Sequence, residues 1–249
     1  EIRTVIEMGG EDSKLILLEW DESSSRPIIK DFSMNTICAA GPGSFLDQQA
    51  TRLGLDIENE FGAEALKCIN PPRIAGRCSV FAKSDMIHLQ QIGTSTADIV
   101  TGLCYAVARN FKSTLAKGKK FQRPIAFLGG VAANAGMVRA FEDILELNQG
   151  ELIIPKHYAT MGALGAALIS MEQGGKIDPA IWDLDSLKVL LTQQKPEIKT
   201  LHSLSGTGYS EKRATTVHNL SPQQTLPRGV YIGIDVGSLS TNVVAIDED

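Results

Sequence analysis

Thr4-Val5-Ile6-Glu7-Met8-Gly9-Gly10-Glu11-Asp12-Ser13-Lys14-Leu15-Ile16-Leu17-Leu18-Glu19-Trp20 reads as a strand, a tight glycine turn and a second strand. Its build returns near the end of the chain. Val230-Tyr231-Ile232-Gly233-Ile234-Asp235-Val236-Gly237-Ser238-Leu239-Ser240-Thr241-Asn242-Val243-Val244-Ala245-Ile246 is again strand, small polar turn, strand. Amides in the turn around Gly237, Ser238 and Thr241 could hold phosphate oxygens, and Asp235 could hold a magnesium ion through water, since that ion keeps much of its hydration shell. A polar hairpin turn accounts for either element taken alone. Two of them, each with an acid and glycines, are what a nucleotide clamped between two related domains requires.

A third glycine turn, Gly129-Gly130-Val131-Ala132-Ala133-Asn134, lies between a buried-looking strand and a helix, where a base or ribose could approach the backbone. By itself, such a pair is ordinarily a tight strand-to-helix connection.

Outward from these turns, Ile28 to Phe32 reads as a third strand. Phe45, Leu46, Ala50 and Leu53 share one face of a helix closed by Gly54. Ile57 to Cys68 is a helix stopped by Asn70-Pro71-Pro72, because the residue before proline avoids the helical region. Ser84-Asp85 reads as a helix start and Ser95 to Lys117 as a long amphipathic helix. Pro124 to Leu128 is a short strand, Asn134 to Leu147 a helix, Glu151 to Ile154 a strand, and Tyr158 to Met171 a small-residue helix. This alternation argues for an α/β or α+β domain with a mixed sheet. From Gln193 to Arg228 the chain turns polar, with prolines and Ser/Thr clusters, and reads as a linker. The expected division is 1–192, 193–228 and 229–249.

The 249 residues carry a net charge of −5 and no Lys/Arg run interleaved with aromatics, which argues against nucleic acid as a partner. No apolar stretch approaches the roughly 18–20 residues of a membrane span, and Glu1-Ile2-Arg3 lacks a signal-peptide layout, so a cytoplasmic location is expected. Four cysteines are too few for a disulfide scaffold and match no zinc-finger spacing.

Cys38 and Cys78 differ from Cys68 and Cys104. Each of the first two is flanked by glycine and small residues near a helix start, and free amides opening a helix near Ser44 would favour an anion there. Cys68 and Cys104 sit on helical faces and read as core, while His157 and His202 read as surface or packing residues. Ordinary buried thiols remain an alternative for Cys38 and Cys78 as well.

The three turns together resemble those of the actin-like ATPase superfamily. Cys38-Ala39-Ala40-Gly41-Pro42-Gly43-Ser44-Phe45-Leu46, Gly76-Arg77-Cys78-Ser79-Val80-Phe81-Ala82, Gly129 to Asn134 and Met161-Gly162-Ala163-Leu164-Gly165-Ala166-Ala167 are more specific. They resemble the activators of 2-hydroxyacyl-CoA dehydratases and the related benzoyl-CoA reductase ATPase subunits. The likeness covers Thr4 to Met171 and then Val230 to the end. It implies an α/β, actin-like (ribonuclease H-like) ATPase fold with a mixed central sheet and flanking helices, incomplete in this chain. It also implies ATP or ADP with Mg2+, and one 4Fe-4S cluster shared by two subunits. Carried over by position, Cys38 and Cys78 are cluster ligands, and Gly9, Gly10, Glu11 and Lys14 belong to the second phosphate motif, with Glu11 the candidate catalytic group. Gly129, Gly130 and Asn134 face adenosine, and Asp235, Gly237, Ser238 and Thr241 form a first phosphate motif. Ligand counting agrees, because a cubane takes four thiolates and one motif pair supplies two. A homodimer or a tandem unit is therefore expected, with an acyl-CoA dehydratase or reductase component as partner.

Two departures stand out. Short activators usually have Asp and Gln where this chain has Glu7 and Glu11, and the Glu11 form resembles long, multidomain activase-like proteins. The first-half hairpin also comes last, which fits an excised piece of a tandem protein better than circular permutation. The chain alone is thus expected to bind nucleotide weakly and hydrolyse it negligibly. An actin-like sugar or metabolite kinase and a non-catalytic scaffold are the competing readings.

Overall fold

A computed structural model describes residues 1–21, 26–35, 41–76, 79–172, 231–237 and 241–246, with Ser79 and Val80 described by backbone alone. Strand β1 (Thr4–Met8) alternates so that Thr4, Ile6 and Met8 are buried on one face. Its β-branched residues suit a pleated, half-buried surface. A turn closed by the Gly9 amide on the Asp12 carbonyl (2.9 Å) leads into β2 (Ser13–Asp21), antiparallel to β1 with Met8 opposite Ser13. Strand β3 (Arg26–Met34) pairs antiparallel with β2. The register runs from Leu17 opposite Asp31 to Leu18 opposite Ile29, so Lys30 is an extra residue bulging from the ladder.

Two parallel strands complete the sheet on the other side of β1. β4 (Ile125–Leu128) pairs with β1, and β5 (Leu152–Ile153) with β4, giving the order β3-β2-β1-β4-β5. The mixed sheet expected from the sequence is present.

Between β3 and β4 lie α1 (Pro42–Leu53), α2 (Phe61–Ala65), α3 (Ser79–Gln91) and α4 (Thr96–Thr114); α5 (Ala135–Leu145) joins β4 to β5. Helix α4 starts where the Ser95 hydroxyl accepts the Asp98 amide (3.1 Å), and it buries Ile99, Val100, Leu103, Cys104 and Phe111. Phe111 and Phe127 each meet Phe141 edge-on, at centroid distances of 5.5 and 5.0 Å, between the helices and the sheet. Burying each such ring contributes on the order of 1.5–3 kcal/mol.

Several boundaries differ from expectation. The helix expected over Ile57 to Cys68 shrinks to Phe61–Ala65, because the Asp56 carboxylate accepts the amides of Glu58 (3.0 Å) and Asn59 (2.7 Å) and holds that stretch in a turn. Helix α3 begins at Ser79, ahead of Ser84-Asp85; the Asp85 carboxylate instead accepts the Ala75 amide (2.8 Å). Cys68 accordingly lies past the end of α2, although it is buried as core, like Cys104 on α4. The last helix, α6, spans Met161–Glu172 rather than starting at Tyr158.

Strands β6 (Tyr231–Val236) and β7 (Thr241–Ile246) form a separate antiparallel pair. It lies on α6 at backbone contact. A side-chain carbon at Gly233 would stand 1.7 Å from the Ala163 carbonyl oxygen, and one at Gly162 would stand 3.0 Å from Asp235 Oδ2. The stretch 193–228 lies outside the described residues.

Candidate nucleotide site

The β1–β2 turn is gripped from both flanks. On one side α1 delivers its first turn onto it: the Gly43 amide donates to the Gly9 carbonyl (3.2 Å) and the Ser44 amide to the Gly10 carbonyl (2.9 Å). This overturns the expectation of free helix-opening amides near Ser44, because the turn's own carbonyls take them. The fit leaves no space for a side chain, since a carbon at Gly41 would stand 1.9 Å from Glu11 Cα. The Ser44 hydroxyl donates to the Glu11 carboxylate at 2.6 Å.

On the other side is Asn35. Its side-chain oxygen accepts the Ser13 amide (2.7 Å), its side-chain nitrogen donates to the Glu11 carbonyl (3.1 Å), and its own amide donates to the Ser13 carbonyl (3.2 Å). Among the described residues, the opposite aspect of the turn is open. A carbon at Gly9 would find no atom nearer than 3.7 Å, and the amides of Gly10 and Glu11 donate to no group among the described residues. Lys14 Nζ donates to Glu7 (2.7 Å) and stands 4.0 Å from Asp12.

The second glycine turn packs on the end of β1 that leads into the first. Gly129 has φ of 88°, its amide donates to the Tyr158 carbonyl (2.9 Å), and a side-chain carbon there would stand 2.1 Å from the Met8 carbonyl oxygen. Glycine is therefore required at 129 on two counts. Gly130, one residue on, is exposed with nothing within 4 Å of a carbon added there. Asn134 caps α5, its side-chain oxygen accepting the Met137 amide at 3.1 Å.

The structure brings Gly9, Gly10, Glu11, Lys14, Gly129 and Gly130 into one neighbourhood through the Met8–Gly129 contact. Asp235 is half-buried beside Gly162 at the start of α6, Gly237 is exposed, and Thr241 opens β7. Ser238, Cys38, Cys78 and His202 lie outside the described residues, and His157 is exposed. Among the described residues no three His, Cys, Asp or Glu side chains gather as a metal site, and no helix is long and apolar enough to cross a membrane.

Sequence reasoning missed the roles of the Asn35 and Ser44 side chains. Both flank the Cys38 stretch, and the available signal was a side-chain amide and a hydroxyl at the two ends of a glycine-rich segment.

The two described cysteines, Cys68 and Cys104, are both buried. Burial, followed by the Asp98 carboxylate 2.8 Å away, raises the pKa of the Cys68 thiol; its hydrogen bond, with that of Ser95, lowers the pKa of Asp98. Burial pushes Cys104 up to about 12.

A sheet of order β3-β2-β1-β4-β5, with a glycine turn at the β1–β2 tip and another after β4, defines one ribonuclease H-like half of an actin-like ATPase. Residues 1–170 match the BadF/BadG/BcrA/BcrD ATPase family, and the chain belongs to it. It is 38% identical over 173 residues to the 2-hydroxyisocaproyl-CoA dehydratase activator of Clostridioides difficile, covering 70% of this chain and 61% of that protein. It is 33% identical over 177 residues to the (R)-2-hydroxyglutaryl-CoA dehydratase activating ATPase of Acidaminococcus fermentans, covering 70% and 63%. The solved structure of the Clostridium difficile activator with bound ADPNP superposes with a TM-score of 0.61 at 33% identity, over 70% of this chain and 61% of that one. The chain thus spans a little over three fifths of these relatives' length.

Proposed function

We propose that this chain is the nucleotide-gripping half of an ATP-dependent activator that passes electrons to an acyl-CoA dehydratase or reductase component. The observation that carries this reading is the contact of Gly129 with Met8, which sets the Gly129–Gly130 turn beside the strand end leading into Gly9–Gly10, with the Gly10 and Glu11 amides unbonded among the described residues and an open backbone at Gly130. Such a cradle suits phosphate oxygens and a sugar or base pressed against the chain. ATP or ADP with Mg2+ fits it, and the names of the relatives support the assignment. Asp235, Gly237, Ser238 and Thr241 belong in this reading to a first phosphate hairpin. On the same reading, 1–192 is the second half of one ATPase unit, 193–228 a linker and 229–249 the first hairpin of a following unit.

Cys38 and Cys78 are proposed to hold a 4Fe-4S cluster together with the same pair from a second copy or tandem unit. The donor chemistry fits, since thiolates are the cluster's ligands and Cys68 and Cys104 are buried elsewhere. When bound, the cluster supplies one-electron transfer. The turn held by Asn35 and Gly41 then senses whether nucleotide is present.

The engagement of Glu11 by Ser44 favours one second reading, a module that binds nucleotide without turning it over. ADP binding measured by calorimetry with Mg2+ is the first test. Weak but saturable binding, lost in Gly130→Val, is expected; no binding by a folded chain at millimolar ADP overturns the nucleotide reading. Anaerobic reconstitution should give about four irons per two chains, lost in Cys38→Ala/Cys78→Ala. The absence of specific iron removes the cluster and leaves the module without turnover.

A further inference from the structure

The segment Pro72–Gly76 is seated on helix α4 by its backbone. A side-chain carbon at Gly102 would stand 2.8 Å from the Pro72 carbonyl oxygen, and one at Gly76 would stand 2.3 Å from that of Ala106. Between these two contacts, the peptide joining Ile74 to Ala75 is held at both ends. Its oxygen accepts Arg109 Nη2 of α4 (3.0 Å), and its amide donates to the Asp85 carboxylate of α3 (2.8 Å). A trans peptide points its oxygen and its hydrogen in opposite directions, so Arg109 and Asp85 lie on opposite sides of it and do not pair. Arg73 directly precedes this peptide, and it is exposed where Arg109 is half-buried. Arg109 Nη2, 3.0 Å from the Ile74 oxygen, lies within roughly 9 Å of the Arg73 Cα. An extended arginine side chain can close that gap to hydrogen-bonding range.

Among the described residues, neither guanidinium forms an ion pair with a carboxylate. Burial, and after it the charge of Arg73, lowers the pKa of Arg109. A guanidinium carries several N–H donors in a planar fork, and Ile74 takes one of those on Arg109. Two like charges are thus brought together on a rigid frame, one of them partly out of water, with no acid joined to either. That arrangement is unfavourable by itself, and an anion accepting from both offsets the repulsion. We infer that Arg73 and Arg109 form a binding site for an oxyanion of the phosphate class. The fork of Arg109 is fixed by Ile74, and the unanchored Arg73 side chain closes on the oxygens that remain. The ligand is free phosphate or a phosphate group carried on a small molecule. The inference goes beyond the nucleotide reading and is independent of it, because no residue of Gly9–Lys14 or Gly129–Asn134 takes part.

The test is equilibrium dialysis of the full chain against radiolabelled inorganic phosphate at constant ionic strength, with and without an excess of ADP and Mg2+. Saturable uptake at millimolar phosphate that persists in the presence of ADP is expected. That uptake should weaken about tenfold or more in Arg73→Ala and in Arg109→Gln, while ADP binding measured by calorimetry stays as in the wild type. Arg73→Lys should recover only part of it, since an ammonium lacks the fork. Arg109→Gln also removes the bond to Ile74; if that variant does not fold, Arg73→Ala decides, because Arg73 is exposed. Displacement of the label by glycerol phosphate supports a carried phosphate as the ligand, and displacement by inorganic phosphate alone supports the free ion. No saturable uptake by the folded wild type overturns the inference. So does uptake abolished by ADP, which would place the phosphate on the glycine turns, or uptake unchanged in folded Arg73→Ala.

Discussion

Two hairpins of the same chemical build are held in opposite ways. The turn between β1 and β2 is embedded, with a strand on each side in the sheet, α1 on its carbonyls and Asn35 across its flank. The β6–β7 pair stands outside the five-stranded sheet and rests on α6 where Gly233 meets Ala163 and Asp235 meets Gly162. Its other face, with Ile232, Ile234, Val236 and Val243, remains exposed. A glycine turn with an acid is thus a statement about local chemistry only. Whether it forms part of a rigid frame depends on partners far away in sequence, such as Asn35 for Ser13.

The largest effect that would break this contrast lies at Gly129. With a φ of 88° and the Met8 carbonyl 2.1 Å from any added carbon, Gly129→Ala should cost more than about 3 kcal/mol and be seen as a large fall in the denaturation midpoint of the whole sheet. A midpoint near that of the wild type would mean that β1 and the Gly129 turn are not in contact.

A more selective result is expected at Gly233. Gly233→Ala places a carbon 1.7 Å from the Ala163 oxygen, so the hairpin should lift from α6, and an isolated two-stranded pair is at best marginally stable. Hydrogen exchange should show the amides of β6 and β7 losing protection while those of β1 and β2 keep theirs. Equal loss in both regions would dissolve the distinction between embedded and resting hairpins.

Alkaline titration separates the regions more gently. Cys104 sits in the core beside the five-stranded sheet, and its folded pKa is raised from 9.0 to about 12 by burial. A raised folded value means its contribution to stability is fully present below about pH 9 and is lost as pH climbs towards 12. Cys104→Ala should flatten that decline. An unchanged slope in the variant would assign the alkaline loss to other groups.

The embedded region was largely legible because its signals are local. Alternation from Thr4 to Trp20, punctuated by Gly9-Gly10, gave both strands, and the glycine pair at 129–130 marked the turn after β4. The failures have local causes too, but of a kind that composition hides. Asp56 captures two amides and removes a turn from the helix expected before Cys68, while Asp85 ties down Ala75 instead of opening α3. The grips on the β1–β2 turn were illegible because Asn35 and Ser13 stand 22 residues apart, and no periodicity links them. The amides near Ser44 looked free for the same reason: the carbonyls that occupy them belong to Gly9 and Gly10, on the far side of two strands.

Strand β3 forms the margin of the sheet, and it turns Ile28, Ile29, Phe32 and Met34 towards solvent, Ile29 by 67%. A long, straight, greasy margin is a template on which other chains stack into fibrils. Here the ladder is interrupted at Lys30, whose ammonium is drawn to Glu19 (3.2 Å), and Pro27 offers no amide hydrogen. Among the described residues, the bulge and the proline therefore break the row of evenly spaced donors and acceptors that a neighbouring chain would need in order to add itself as a further strand.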